Sequence, residues 1–248
     1  MALGARQALG AAAVTVERFS PSRPLTVAHR AGNDLDKLAA AESAGIDVLE
    51  ADVWPYRGRL EVRHTKTMGP VPLLWDRWSL EPAWRTQLQL EELLEAASAK
   101  TELMLDLKGT DASSPQAIME AVERVTPGRQ YAVCSQSWDL LEGFRDEPHV
   151  RVVHSIGNRR ALEEVEQRLT WHANHAISVN QKFLGPSQVQ RLLGLAPTVM
   201  TWPINTRRQL RRVLRWGVNG IISDNPALLA EVVRKREQAG WLAEMSEE

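Results

Sequence analysis

The feature that most constrains this chain is a regular alternation. Short apolar runs rich in β-branched residues alternate, eight times over, with longer runs of helical period. Strands are predicted at Leu25–His29, Asp47–Val53, Glu102–Leu107, Tyr131–Ser135, Val150–His154, Ala176–Asn180, Thr198–Trp202 and Gly220–Ser223. Helices are predicted at Leu35–Ala44, Leu90–Ala99, 115–125, 138–145, 159–169, 186–194, 206–216 and Pro226–Gln238. Gly45 is a good stop for the first helix, and Pro226 sits where a missing N–H costs nothing. Eight such units predict an α/β fold, a TIM (β/α)8 barrel of parallel strands, over residues 25–240. Residues 1–24 form an N-terminal extension, expected to be helical and packed on the barrel, and residues 241–248 an acidic tail. Leu60–His64 reads as an extended return segment, and 65–88, with three Pro and three Trp, as loop.

Composition removes several classes. The chain has 248 residues, is 44% hydrophobic and 25% charged, and has a net charge of -1. That describes a globular chain with a large core and argues against a broad nucleic-acid-binding surface. A single cysteine, Cys134, excludes an intrachain disulfide and a Cys-cluster zinc site. No apolar run reaches membrane-spanning length. The apolar stretch Ala8–Val16 is short, Ala-rich and preceded by only one basic residue, so it reads as part of a helix rather than a signal peptide, and a cytoplasmic location is expected.

In a barrel of this kind the chemistry sits at the carboxyl ends of the strands. His29 and Arg30 end the first strand, Glu50 and Asp52 lie in the second, Asp106 and Lys108 end the third, and Trp202 ends the seventh. Side chains two apart on a strand share a face, so Glu50 pairs in direction with Asp52, and Asp106 with Lys108. Unpaired carboxylates facing the interior are costly to desolvate, and a divalent cation offsets that cost. An all-oxygen trio, Glu50, Asp52 and Asp106, favours Mg²⁺ or Ca²⁺ over Zn²⁺. Each element also has an ordinary structural explanation: ion pairs with strand-end arginines for Glu50 and Asp52, a local salt bridge for Asp106 and Lys108, a core histidine for His29, a surface residue for His64. Their convergence at one mouth favours a site.

These residues carry a family resemblance. VAHRAG after the first strand resembles a His-Arg-Gly pattern with Ala31 inserted before Gly32. GIDVLEADV supplies Glu-x-Asp, His64 follows about a dozen residues later, and LMLDLKG ends in acid-x-Lys. TWPIN pairs a Trp with an Asn at the seventh strand, and GVNGIISDNP closes the pattern. In this order, over roughly residues 25–230, the motifs resemble the glycerophosphodiester phosphodiesterase family and the related sphingomyelinase D-like phospholipases. The short first loop, GNDLDK, lacks Pro-Glu-Asn-Thr, and with Asp-Leu-Lys it resembles the sphingomyelinase D branch. Arg30 and the absence of a cysteine-bridged loop resemble the glycerol branch.

The resemblance implies metal-dependent hydrolysis of a small-molecule phosphodiester, a glycerophosphodiester first and a lysolipid or sphingomyelin headgroup as the alternative. It implies acid–base roles for His29 and His64, without saying which is which, and phosphate binding by Arg30 and Lys108. Trp202 and Trp54 are expected to wall the pocket. A barrel that binds a phosphorylated ligand without turnover is the non-enzymatic alternative. Trp75, Trp78 and Trp84 are read as rim packing, and no polybasic helix is seen to hold the chain on a membrane. His154 is placed at the mouth in a structural role, His172 and His175 are structural or exposed, and Asp224 caps the last helix or braces the mouth.

Overall fold

The computed structural model describes residues 19–68, 71–76, 79–238 and 240–241. Eight parallel strands form its centre: Leu25–Ala28 (β1), Val48–Tyr56 (β2), and, after the excursion described below, Glu102–Leu107 (β8), Tyr131–Ser135 (β9), Val150–Ile156 (β10), His175–Asn180 (β11), Thr198–Trp202 (β12) and Gly220–Ser223 (β13). They are ordered β1-β13-β12-β11-β10-β9-β8-β2, and β1 also pairs with β2 through Val27↔Val48, which closes the barrel. The TIM-barrel expectation is borne out.

The two-residue period of the strands sorts the core into two layers. Leu25, Val27, Val48, Met104, Ala132, Val153, Ala176, Met200 and Ile222 fill the inside. Their sequence neighbours, among them Leu49, Leu103, Val133, Val152, Ile177 and Ile221, pack outward against the helices. Gly220 is required by this packing, since a Cβ there would lie 2.4 Å from Met200 Cγ.

Helices Leu35–Ser43 (α1), Leu90–Ala96 (α2), Ser114–Val125 (α3), Arg159–Arg168 (α4), Pro186–Leu193 (α5), Arg207–Arg215 (α6) and Pro226–Lys235 (α7) form the outer layer. Caps set their starts: Asp34 accepts from the amides of Asp36 and Lys37, Thr206 from Gln209 and Asn225 from Leu228. The fourth unit differs from expectation, because residues Trp138–Phe144 form a 3-10 helix. The seven residues include Gly143, a poor helix former pressed against Pro115. A second difference is α6, which carries Arg207, Arg208, Arg211, Arg212 and Arg215, so the chain does contain a basic helix.

The largest departure is the segment expected to be loop. Arg59–Val62 (β3) turns back on β2, and Leu88–Gln89 (β7) pairs with β3. Between them Lys66–Met68 (β4), Val71–Asp76 (β5) and Ser79–Pro82 (β6) form a separate antiparallel sheet. Its prolines masked the pattern in the sequence. Pro72 lies beside the register shift at Thr67/Met68 and Pro82 ends β6, both places where a strand tolerates proline.

The expected N-terminal helix falls mostly on residues 1–18, outside the described ones; Ser20 and Arg23 form a tight backbone bridge instead of a helical turn. Trp241 is buried and donates from Nε1 to the carbonyl of Ser22 at 2.6 Å, so the core reaches into the expected tail. Residues 242–248 lie outside the described ones. Among the described residues, no helix is long and apolar enough to cross a membrane.

Candidate active site

The register of β2 against β8 builds the centre of the mouth. Glu50 pairs with Met104 and Asp52 with Asp106, so two carboxylates stand side by side on neighbouring strands, and Glu50 joins them from one turn of the pleat below. Oxygens of all three lie within 4.8 Å of one another. Lys108 follows on the same face. Its Nζ ion-pairs with Asp52 Oδ1 at 2.6 Å and also with Asp106.

The first loop closes over this trio. Arg30 is held at φ 57°, a left-handed conformation that a non-glycine residue adopts at a cost of about 1–3 kcal/mol. That conformation aims its backbone N–H at Glu50 Oε2, at 2.5 Å, while its Nε lies 3.7 Å from Asp52 Oδ2. Gly32 lets the loop approach β2, since a Cβ there would lie 2.7 Å from that of Ala51. Asn33 then clamps Asp52 twice: its Nδ2 donates to Oδ2 at 2.7 Å, and its Oδ1 accepts from the Asp52 amide at 2.8 Å.

The two imidazoles flank the acids. His29 Nε2 is 4.0 Å from Glu50 Oε2, and its Nδ1 is 2.6 Å from Asp224 Oδ1. Asp224 is fixed in turn by Asn205, which donates from Nδ2 to its Oδ2 at 2.9 Å. His64 Nδ1 is 3.4 Å from Asp52 Oδ2, and Nε2 is 3.7 Å from Asp76 Oδ1 on β5.

Electrostatics separates the carboxylates. Burial, with the neighbouring charges of Asp52 and Asp106, pushes Glu50 well above the usual range, while the Lys108 ammonium pulls the other way. Burial also raises Asp106 against the pull of Lys108. Burial opposes ionisation of Asp52 as well, but His64 and Lys108 overcome it and hold that carboxyl low. Asp224 is lowered to about 2, first by the His29 hydrogen bond. Glu50 Oε1 is buried without a hydrogen-bond partner. An orphaned carboxylate oxygen beside two further carboxylates is an all-oxygen donor set that fits a hard divalent cation.

All nine residues singled out in the sequence meet at this mouth. His29, Arg30, Glu50, Trp54, His64, Asp106, Lys108 and Trp202 line a cavity of about 450 Å³, with Asp52 buried beneath it. Asn33 and Asp76 went unrecognised, because neither carries a spacing that links it to the acids. Asp224 braces the mouth, while the cap of α7 is Asn225. His154 is not at the mouth. Val153 points into the barrel, so His154 points to the helix layer, where its ring meets Trp138 and His175. Ser135 also faces away from the interior and donates to the carbonyl of Leu107. Trp75 and Trp84 are 48% and 74% exposed rather than packed on the rim, and Trp78 lies outside the described residues.

Comparison with known proteins identifies the fold. The model of the Glycerophosphoryl diester phosphodiesterase family matches residues 198–227, the stretch that carries Trp202, Asn205 and Asp224. A candidate glycerophosphoryl diester phosphodiesterase from Silicibacter pomeroyi DSS-3 superposes with a TM-score of 0.69 at 20% identity, over 89% of this chain and 96% of that one. The fold is that of a glycerophosphodiester phosphodiesterase. An Oleispira antarctica phosphodiesterase, solved with its product sn-glycerol-3-phosphate, gives a TM-score of 0.67 at 18% identity, over 86% and 97% of the two chains. The glycerophosphodiester phosphodiesterase of Thermotoga maritima gives 0.63 at 19%, over 84% and 98%. No curated protein matches the chain by sequence. The resemblance to the glycerophosphodiester phosphodiesterase family read from the motifs is borne out.

Proposed function

We propose that this chain hydrolyses a phosphodiester, in the first place a glycerophosphodiester, to sn-glycerol 3-phosphate and an alcohol. The observation that carries the reading is the placement of two imidazoles on either side of a buried carboxylate trio, at the open end of the barrel. The match to the family model and the fold shared with the Oleispira antarctica phosphodiesterase support it.

Glu50, Asp52 and Asp106 are the residues that would hold a divalent cation, Mg²⁺ or Ca²⁺. Bound there, such an ion supplies Lewis-acid polarisation of a phosphoryl oxygen. Arg30 and Lys108 bring positive charge to the remaining oxygens, Arg as a planar fork and Lys as a point charge. Asp224, ionised, accepts a hydrogen bond from the Nδ1–H of His29, and in that tautomer the ring's lone pair is on Nε2, facing the mouth. His29 is thereby suited to take the proton of the nucleophile. His64 has a carboxylate off each ring nitrogen and is placed to deliver a proton to the leaving alkoxide. Trp54 and Trp202 wall the space for the alcohol.

A headgroup screen tests the reading. The chain is incubated with glycerophosphocholine, glycerophosphoethanolamine and glycerophosphoglycerol, with and without Mg²⁺ or Ca²⁺, and sn-glycerol 3-phosphate is assayed. Release dependent on an added ion is expected. Binding of several diesters with no turnover of any would replace the hydrolase with a phosphate-binding barrel.

A further inference from the structure

The sheet inserted between β3 and β7 has two unlike faces. Leu74 is fully buried and Asp76 reaches His64, so one face of β5 is turned to the barrel and the catalytic mouth. Val71, Leu73 and Trp75 alternate onto the other face. Cross-strand register adds to it: Met68 is opposite Val71, Leu80 opposite Trp75 and Pro82 opposite Leu73. This outer face has no covering element among the described residues. Met68 is 45% exposed, Val71 48%, Trp75 48% and Leu80 58%. Trp84, just beyond β6, is 74% exposed. Among the described residues, seven large hydrophobic side chains are exposed, and these five fall within residues 68–84. A sixth, Leu35, starts α1 at the same end of the barrel. Clustered exposure of this kind marks a surface with a partner.

Charge identifies the partner. Between Tyr56 and Leu88 the sequence places six Lys and Arg against three Asp and Glu, in a chain whose net charge is -1; Arg63 and Glu61 are buried in an ion pair with each other, which leaves five against two. Lys66, exposed and paired in register with Trp75, stands where this face meets the mouth cavity, whose lining it also joins. Arg57 and Arg59 are exposed on the β2–β3 turn, and Arg85, exposed, follows Trp84. Arg59 and Arg85 each have one acidic neighbour, Glu61 and Glu81. Tryptophans and aliphatic side chains with exposed cations such as Lys66 and Arg85 beside them suit the boundary between anionic headgroups and acyl chains. A second copy suits it poorly, because self-association would bring this basic surplus against itself.

We propose that the outer face of β4–β6 docks onto an anionic lipid interface. Docking there concentrates the chain at a surface that carries phosphodiester headgroups; this consequence for substrate class rests on the hydrolase reading, whereas the docking does not. The surface is patch-like rather than a buried anchor, so attachment is reversible and weakens as salt screens the cations.

The test is co-sedimentation of the full chain with vesicles of phosphatidylcholine alone and of phosphatidylcholine mixed with phosphatidylglycerol. Binding to the mixed vesicles, reduced by high salt, is expected. The double variant Trp75→Ser/Leu80→Ser is expected to lower the partition coefficient at least about tenfold, and Trp84→Ser to lower it less, each with an unchanged melting temperature. Turnover of water-soluble glycerophosphocholine is expected to be the same in all three. If the chain has no hydrolytic activity but binds vesicles in this pattern, only the hydrolase reading fails. Absence of vesicle binding, or equal binding by the variants, overturns the docking surface. Concentration-dependent dimers dispersed by Trp75→Ser/Leu80→Ser, without vesicle binding, would assign the face to a second copy and overturn the lipid.

Discussion

His29 Nδ1 and Asp224 Oδ1 lie 2.6 Å apart, joining the end of β1 to the end of its neighbour β13, the first strand of the barrel to the last. Asp224, lowered to about 2, is ionised at neutral pH and fixes both the tautomer and the ring plane of His29. Asp224→Asn presents an amide that can donate as well as accept, and the opposite tautomer then competes. The expected outcome is a fall in kcat of about 10²-fold or more, with KM for a small diester little changed, measured by steady-state kinetics. Asn205→Ala loosens Asp224 without removing it and is expected to have a smaller effect in the same direction.

The two histidines are not redundant, since they reach the trio from different loops and touch different carboxylates. His29→Ala and His64→Ala are each expected to reduce kcat/KM by about 10²–10⁴-fold. A substrate with a good leaving group separates the roles: it should partly restore His64→Ala, whose missing step is protonation of the alkoxide, and leave His29→Ala slow. Restoration of His29→Ala instead would exchange the two assignments.

Glu50 sets stability against function. It is buried beside two other carboxylates, with one oxygen unpartnered. Replacing it by the neutral isostere, Glu50→Gln, relieves that repulsion in the ion-free protein. Its melting temperature is expected to rise by about 2–4 °C, the shift for about 1 kcal/mol in a domain of this size. Wild-type protein is expected to gain stability when Mg²⁺ or Ca²⁺ is added and to lose activity on chelation. Glu50→Gln should show neither response, in thermal melts with and without EDTA.

Much of this was legible in the sequence because the barrel writes its plan locally. Period-two runs ending in polar residues gave the strands, and their carboxyl ends gave the mouth, so Glu50, Asp52, Asp106 and Lys108 could be placed together from parity alone. What was not legible depends on contacts between distant segments. Asn33 meets Asp52 across 19 positions and Asp224 meets His29 across 195, and no spacing rule connects either pair. The β4–β6 sheet was hidden because its prolines carry a loop signal that the register shift at Thr67/Met68 and the end of β6 absorb. His154 was misplaced because its strand runs on to Ile156, and one position of parity separates the mouth from the helix layer.

At the opposite end of the barrel a buried ion pair closes the structure. Arg236, just after α7, donates from Nη1 to Asp47 Oδ2 at 2.5 Å and from Nη2 to Oδ1 at 2.8 Å, and Asp47 also accepts from the amide and hydroxyl of Thr26. Burial raises the Asp47 carboxyl, but Arg236 and Thr26 outweigh it and hold it below its ordinary value. Arg236→Met leaves a buried carboxylate without its cation and is expected to cost about 3–5 kcal/mol in urea unfolding. With a lowered folded-state pKa, the carboxylate stabilises the fold above the ordinary Asp range and ceases to as pH falls below it. The difference between wild type and Arg236→Met should therefore be full at pH 7 and shrink towards pH 3.

A second pH dependence comes from the histidines between the barrel and its helices. His154 is buried between Trp138 and His175, and both rings titrate at about 4, first because burial disfavours the charged form and then because His175 faces His154, His172 faces His175, and Arg145 adds positive charge near both. The unfolded chain binds protons at these rings near the ordinary value of 6.5 while the folded chain resists until about pH 4. Protons therefore favour unfolding throughout that window, and stability falls as pH drops from 6.5 to 4. His154→Phe, which keeps a ring against Trp138 and cannot be protonated, is expected to flatten the decline of melting temperature over this range while leaving kcat at pH 7 unchanged. An unchanged slope in the variant would move the acid sensitivity to other groups.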